Sequence, residues 1–120
     1  MYAINPNGQE FKVFCDQSTQ GGGWAVFQKR FDGSVDFYQN WTSYKDGFGN
    51  LVGEFWLGFD KIYQLTSSRR TALRVDLGDF NGTSMYAEYD SFKVLGEEDS
   101  YELQLGNYSG INISILVRLL

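Results

Sequence analysis

The stretch from Thr71 to Val94 admits one local solution. Leu73, Val75 and Leu77 fall on one face and Arg74 and Asp76 on the other, the period of a half-buried β-strand. Asn81-Gly82 follows, a dipeptide suited to the positive φ of a tight hairpin turn. A long strand from Ser84 to Val94 then sets Ala87 and Tyr89 against Glu88 and Asp90. Its apolar phase slips by one residue to Phe92 and Val94, as a β-bulge near Ser91 produces. Composition extends the pattern to the whole chain. Aromatic residues make up 18% of the 120 residues and 14 are glycine; rings pack well on pleated surfaces, and glycine opens the turns between them. A chain of this length builds one core, burying roughly two thirds of its unfolded surface. The expectation is an α+β domain, a twisted antiparallel β-sheet with two short helices.

Both helices are short and glycine-bounded. Trp41, Tyr44, Lys45 and Phe48 stand at i, i+3, i+4 and i+7 behind Asn40 as N-cap, and Gly47 and Gly49 stop the run. Asp60 is placed to cap a second helix through Leu65, with Ile62 and Leu65 inward. Further extended segments are Tyr2-Ala3-Ile4, Phe11 to Cys15, Trp24 to Gln28, Glu54 to Gly58 and Tyr101 to Leu105. Turn chemistry at Asn5-Pro6-Asn7-Gly8 joins the first two. Trp24, Trp41 and Trp56 sit on core-like faces, which favours packing over exposed sugar-stacking platforms.

Several function classes are excluded by what the chain lacks. Net charge is −5, a field that repels phosphate, and no polybasic run offsets it; Arg69-Arg70 reads as a solvated turn. Nucleic acid and membrane surfaces are therefore not expected partners. The longest apolar run, Ile115-Leu116-Val117, is far below the ~20 residues of a spanning helix. Met1 to Gly8 has neither a basic nor an apolar leader region, so no secretory signal is expected. Gly21-Gly22-Gly23 lacks the following helix and Lys-Ser/Thr of a phosphate loop. With no histidine and one cysteine, His-based triads and Cys/His zinc sites are ruled out. Carboxylate-only catalysis survives, but scattered acids always supply some close pair, so no catalytic residue is assigned.

Three blocks carry a resemblance: Phe11-Lys12-Val13-Phe14-Cys15-Asp16, Gly21-Gly22-Gly23-Trp24, and Asp32-Gly33-Ser34-Val35-Asp36-Phe37-Tyr38. They continue through Trp41, Tyr44-Lys45, Gly47-Phe48-Gly49, Gly53-Glu54-Phe55-Trp56-Leu57-Gly58 and Asp60-Lys61-Ile62. Leu73-Arg74-Val75-Asp76-Leu77, Tyr86 to Val94 and Tyr108-Ser109-Gly110 complete the series. In this order the chain resembles the N-terminal half of the fibrinogen C-terminal-like domain family of fibrinogen chains, ficolins, angiopoietins and tenascins. Residues 1–110 read as a partial domain of this kind, and 111–120 as a divergent apolar tail. That tail reads either as a strand added to the sheet edge or as out-of-frame or intron-derived sequence foreign to the family, and the second is the expectation because the resemblance stops at Gly110.

The resemblance implies an extracellular, non-enzymatic recognition module that binds glycan or acetylated ligands in innate defence. The alternatives are a matrix or growth-factor module that docks a protein receptor, or a fragment that binds nothing. It also implies that Cys15 is a structural half-cystine whose partner precedes Tyr2, and that the family's calcium loop and ligand region follow Gly110. No cofactor or metal is therefore expected within this chain, and the oligomeric state is left open. Two sets of local carboxylates are candidate calcium ligands: Asp76 and Asp79 with Glu88 and Asp90, or Glu97-Glu98-Asp99. Neither follows a calcium-loop spacing, and Asp76, Glu88 and Asp90 suit cross-strand pairing with Arg74 or Lys93 better. Asn40, Asn81, Asn107 and Asn112 each begin an N-x-S/T triplet and are candidate N-glycosylation sites; Asn81, at a turn tip, is the best placed.

Losing a disulfide removes ~2–5 kcal/mol from a small secreted domain, against a typical total of about 5–15 kcal/mol. The chain should therefore be marginally stable and prone to aggregate. Circular dichroism melting checks this, and a cooperative transition above about 65 °C contradicts it.

Overall fold

The computed structural model describes residues 2–4, 10–16, 23–67, 71–78 and 83–107. The turns at Asn5-Pro6-Asn7-Gly8 and Asn81-Gly82, Gly21-Gly22, Arg69-Arg70, Asp79, Tyr108-Ser109-Gly110 and the tail 111–120 lie outside these residues, as do the candidate sites Asn81 and Asn112. The described elements are, in order, β1 (Tyr2–Ile4), β2 (Phe11–Asp16), β3 (Trp24–Val26), β4 (Gln28–Lys29), α1 (Trp41–Asp46), β5 (Phe48–Gly49), β6 (Phe55–Trp56) and α2 (Phe59–Ser67). β7 (Leu73–Gly78), β8 (Ser84–Tyr89), β9 (Phe92–Val94), a 3-10 turn over Glu97–Asp99 and β10 (Leu103–Leu105) complete them. The architecture is α+β with antiparallel pairing throughout, as expected. Hydrogen bonding divides the strands into four short ladders, β1-β2-β3, β4-β6-β5, β7-β8 and β9-β10.

The first helix follows its sequence signals closely. The Asn40 carboxamide oxygen accepts the Ser43 N–H at 3.0 Å, satisfying a donor that the first turn leaves open. At the other end Gly47 turns out of the helix at φ 98°. A side chain there would lie 2.2 Å from the Leu57 carbonyl oxygen, so both the turn and the close approach demand glycine. Phe48 therefore leaves the helix and opens β5.

The second helix begins one residue before the expected cap. Asp60 lies inside the first turn, and its carboxylate is taken by Lys45 and Tyr101. Ile62 is buried as its spacing implies, Leu65 is only partly covered, and Thr66 fills the other buried position. The Thr66 hydroxyl donates to the Ile62 carbonyl and accepts the Val94 N–H, each at 3.0 Å. One hydroxyl thus fastens α2 to β9.

In the β7–β8 hairpin the register runs from Leu73 opposite Tyr89 to Gly78 opposite Ser84. Continued downward, that register would set Thr71 against Ser91. Instead the Thr71 carbonyl accepts the N–H of Phe92 at 2.6 Å, one residue further on. The extra residue is the bulge that the phase slip signalled, and it splits the expected long strand into β8 and β9. Past it β9 exchanges β7 for β10, with Leu103 opposite Val94 and Leu105 opposite Phe92. Before β10, Ser100 and Tyr101 both adopt the left-handed conformation, φ 54° and 53°, and the Tyr101 ring is buried.

The core is one cluster, formed by Val13, Phe55, Leu57, Ile62, Leu73, Val75, Phe92, Val94 and Tyr101. It draws on every ladder and on α2. Ile62→Val removes one methylene from its centre and should lower stability by about 0.5–1.5 kcal/mol. Val52→Ala, at an exposed turn, should change it by less than about 0.5 kcal/mol. Urea denaturation of the two variants tests whether this cluster carries the fold.

Candidate functional site

Glu54 is the residue whose role the sequence concealed. It directly precedes β6, is 1% exposed, and a carboxylate so placed requires full hydrogen bonding. Its Oε2 accepts the backbone N–H groups of Phe31, Asp32 and Gly33 at 2.6, 2.7 and 2.9 Å. Its Oε1 accepts the Val35 N–H at 3.1 Å. Donors from Asp32 and Phe31 above all, helped by Gly33 and Val35, overcome burial and hold the carboxyl down at about 2. With both oxygens engaged by backbone, Glu54 shapes the 31–35 loop and is not available as an acid or base.

A second cluster joins the helices to the 3-10 turn. Lys45 Nζ lies 2.7 Å from Asp60 and 3.7 Å from Glu97, and the Tyr101 hydroxyl donates to the other oxygen of Asp60. Burial pushes the Asp60 carboxyl up, but its bonds to Lys45 and Tyr101 outweigh that and keep it below its ordinary value. Burial, then the Asp60 contact, drives the Tyr101 hydroxyl well above the usual phenol range. Both groups therefore hold fixed protonation states at neutral pH, which suits a structural lock rather than proton transfer.

The expected cation sites are engaged elsewhere. Arg74 bonds its cross-strand neighbour Glu88 at 2.6 Å, the pairing that strand alternation suggested, and Asp76 two residues along its own strand at 3.0 Å. The Asp90 carboxylate accepts the Asn107 N–H at 2.6 Å, while Glu97 faces Lys45 and the Trp41 indole. Among the described residues no three Asp, Glu or Cys side chains converge on a metal position.

Of the three tryptophans, Trp24 and Trp56 are partly buried. Trp41 departs from its expected core position, being 52% exposed. As the first residue of α1 it leans on Tyr101 and Phe59, ring centroids 5.6 and 6.4 Å apart. Cys15 carries a free thiol, half-buried in β2 opposite Ala25 of β3. Asn40 is exposed with its carboxamide oxygen committed to the helix cap. Asn107 is exposed, its backbone tied to Asp90 in both directions. The structure brings none of these candidate residues together into one cleft.

Comparison with known proteins places this arrangement. Residues 1–117 match the family model of the C-terminal globular domain of the fibrinogen beta and gamma chains. The protein belongs to this family. It is 54% identical to human ficolin-3 over 104 residues, which is 87% of this chain and 35% of ficolin-3. Human fibroleukin is likewise 54% identical over 106 residues, 88% of this chain and 24% of fibroleukin. Among solved structures, the fibrinogen-like globe of human ANGPTL2 superposes with a TM-score of 0.89 at 45% identity, covering 92% of this chain and 52% of that one. Lamprey fibrin D-dimer, solved with the peptide Gly-His-Arg-Pro-amide, gives a TM-score of 0.78 at 45% identity over 84% of this chain and 32% of that one. This fibrinogen-like chain therefore spans about a third or less of its curated relatives and about half of a solved globe. Among the described residues no helix is long and apolar enough to cross a membrane.

The Glu54 nest yields a pH dependence. Its folded-state value near 2 lies below the ordinary 4.5, so its contribution is complete above that ordinary value and is lost as pH falls toward about 2. Urea midpoints measured across this range should decline for the native sequence. Glu54→Gln should be less stable at neutral pH and show a flatter acid limb; an unchanged acid limb would remove Glu54 from that role.

Proposed function

We propose that this chain is part of a secreted, non-enzymatic recognition domain of lectin type, whose ligands are glycans or acetylated compounds. The observation that carries this reading is the 54% identity to ficolin-3 over 87% of the chain. The site itself agrees with it in a negative sense. Its buried carboxylate, Glu54, is engaged by backbone donors, and the more exposed Asp60 and Glu88 are paired with Lys45 and Arg74. In this reading the ligand-carrying part belongs to the half of the globe that follows, and this half is its scaffold. Cys15 acts there as one side of a structural disulfide whose other cysteine lies outside this sequence, and Asn40 and Asn107 are exposed candidates for N-glycosylation.

A second reading, a module docking a protein or peptide, draws on the equal identity to fibroleukin and on the peptide bound by the lamprey relative. One experiment separates them: retention of the longest natural product carrying this sequence on N-acetylglucosamine resin in calcium. Retention reversed by free N-acetylglucosamine supports the lectin reading. Flow-through from the resin, with capture on an immobilised receptor or matrix protein, supports the second and ends the first.

A further inference from the structure

One of the four N-x-S/T triplets differs from the rest in what stands before it. Tyr38 lies two residues ahead of Asn40, whereas Asp79, Leu105 and Gly110 hold that place before Asn81, Asn107 and Asn112. Tyr38 is 94% exposed, and among the described residues its ring and hydroxyl have no partner. Asn40 is exposed as well, and its carboxamide is only half used. Oδ1 accepts the Ser43 N–H, while among the described residues no acceptor takes Nδ2. The nitrogen to which a sugar attaches is thus the atom that the helix cap leaves open. Thr42, the third residue of the triplet, is also exposed.

The chain leading to Asn40 is held residue by residue. Phe37 is anchored, its ring against Phe48 at 5.0 Å and its carbonyl accepting the Tyr44 hydroxyl at 2.5 Å. Val35 and Phe37 are half-buried and Asp36 and Tyr38 exposed, the alternation of extended backbone. The Asp36 carboxylate accepts the Tyr38 N–H at 2.9 Å, and the Gln39 carboxamide folds back to donate to the Asp36 carbonyl at 2.9 Å. Asn40 is itself extended, φ −84° and ψ 178°. Two Cα steps keep the Cα atoms of Tyr38 and Asn40 within about 7.6 Å of each other, close enough for a sugar on one to meet the ring of the other. Trp41 has its ring on Tyr101 and Phe59, so the tyrosine is the ring left for that sugar. An exposed phenol offers an apolar face to the C–H side of a pyranose and a hydroxyl to its polar rim.

We propose that Asn40 carries an N-linked oligosaccharide whose innermost N-acetylglucosamine rests on the Tyr38 ring. On the growing chain, before α1 closes, Nδ2 attacks the anomeric carbon of a lipid-pyrophosphate-linked oligosaccharide. The C–N bond forms as the C–O bond breaks; the lipid pyrophosphate leaves with the electron pair, and Nδ2 gives up one of its two protons. The glycosylated amide keeps Oδ1 and one N–H, so the cap on Ser43 forms as before. The inference rests on the secreted reading proposed above and is independent of the ligand class.

The test secretes the longest natural product carrying this sequence from a eukaryotic host under its own leader. Peptide mass spectrometry after enzymatic glycan release in heavy-oxygen water reads occupancy, because release marks each glycosylated asparagine. Glycan on Asn40 is expected, and Thr42→Ala should remove it. Asn40 bare in a secreted product overturns the proposal alone. A product kept inside the cell with all four triplets bare overturns it together with the secreted reading. Melting then reads the ring contact. The glycosylated protein should melt about 2–4 °C above the enzymatically deglycosylated one, in which Asn40→Asp still caps α1. Trimming to a single N-acetylglucosamine should keep this gain, as should Tyr38→Phe. Tyr38→Ala should abolish it while leaving the deglycosylated protein unchanged. No gain in the native sequence, or a gain that survives Tyr38→Ala, overturns the proposal.

Discussion

The ring of Trp56 is the joint on which this structure turns. It meets Phe27 edge-on at 5.8 Å, Phe59 edge-on at 5.1 Å and Tyr44 at 5.5 Å between centroids. Its indole N–H donates to the Tyr44 carbonyl at 2.8 Å. From those contacts the aromatic series runs on: Phe27 stacks on Phe92 of β9, Phe59 stacks on Tyr101, and Tyr44 reaches Phe48. Ladders of two or three residues have little stability of their own. Here β4, β5 and β6 pair over two residues each, and it is ring packing, with its large buried area and edge-to-face preference, that ties them to both helices and to β9. The aromatic excess of the sequence thus substitutes for long strands.

Charge is used in the same economical way. Glu54, Asp60 and Glu88 each neutralise donors that the fold would otherwise leave open: four backbone N–H groups, the Lys45–Tyr101 pair and Arg74. Arg74 also lies over the Tyr86 ring at 4.1 Å, and Arg30 over Phe37 at 4.2 Å, so cations as well as anions are seated by local partners. Loops fixed by backbone-to-carboxylate bonds keep little conformational freedom, which gives the sheets a rigid frame.

Signals in the sequence are most legible where they depend on local geometry. The alternation at Leu73, Val75 and Leu77, the Asn40 cap, the glycine stop at Gly47 and the phase slip near Ser91 each appear in the structure, because period and cap chemistry act over a few residues. The features that escape a sequence reading depend on partners far along the chain. Nothing near Glu54 announces that the N–H groups of Phe31 to Val35 will converge on it. Asp60 resembles a helix cap because a cap is the nearest use for an acid before an apolar run; Lys45 and Tyr101 claim it instead. Trp41 has the spacing of a buried residue, but helix periodicity reports which residues share a face and not how far that face is covered. A carboxylate directly before a buried aromatic, as at Glu54-Phe55, is the one available hint that a buried anion needs donors.

The lock between the helices and the 3-10 turn bears on how the chain is made. Tyr101 reaches Asp60 across 41 residues and Glu97 meets the Trp41 indole across 56. During synthesis, which proceeds at roughly 5–20 residues per second, both helices emerge well before the tyrosine that stacks on Phe59. For several seconds Phe59 and Trp41 face the cytosolic or luminal surroundings without their ring partner, and Asp60 without its hydroxyl donor. Contacts of such separation form late and slowly. The window between Trp41 and Tyr101 leaving the ribosome is therefore when these rings are without their partner.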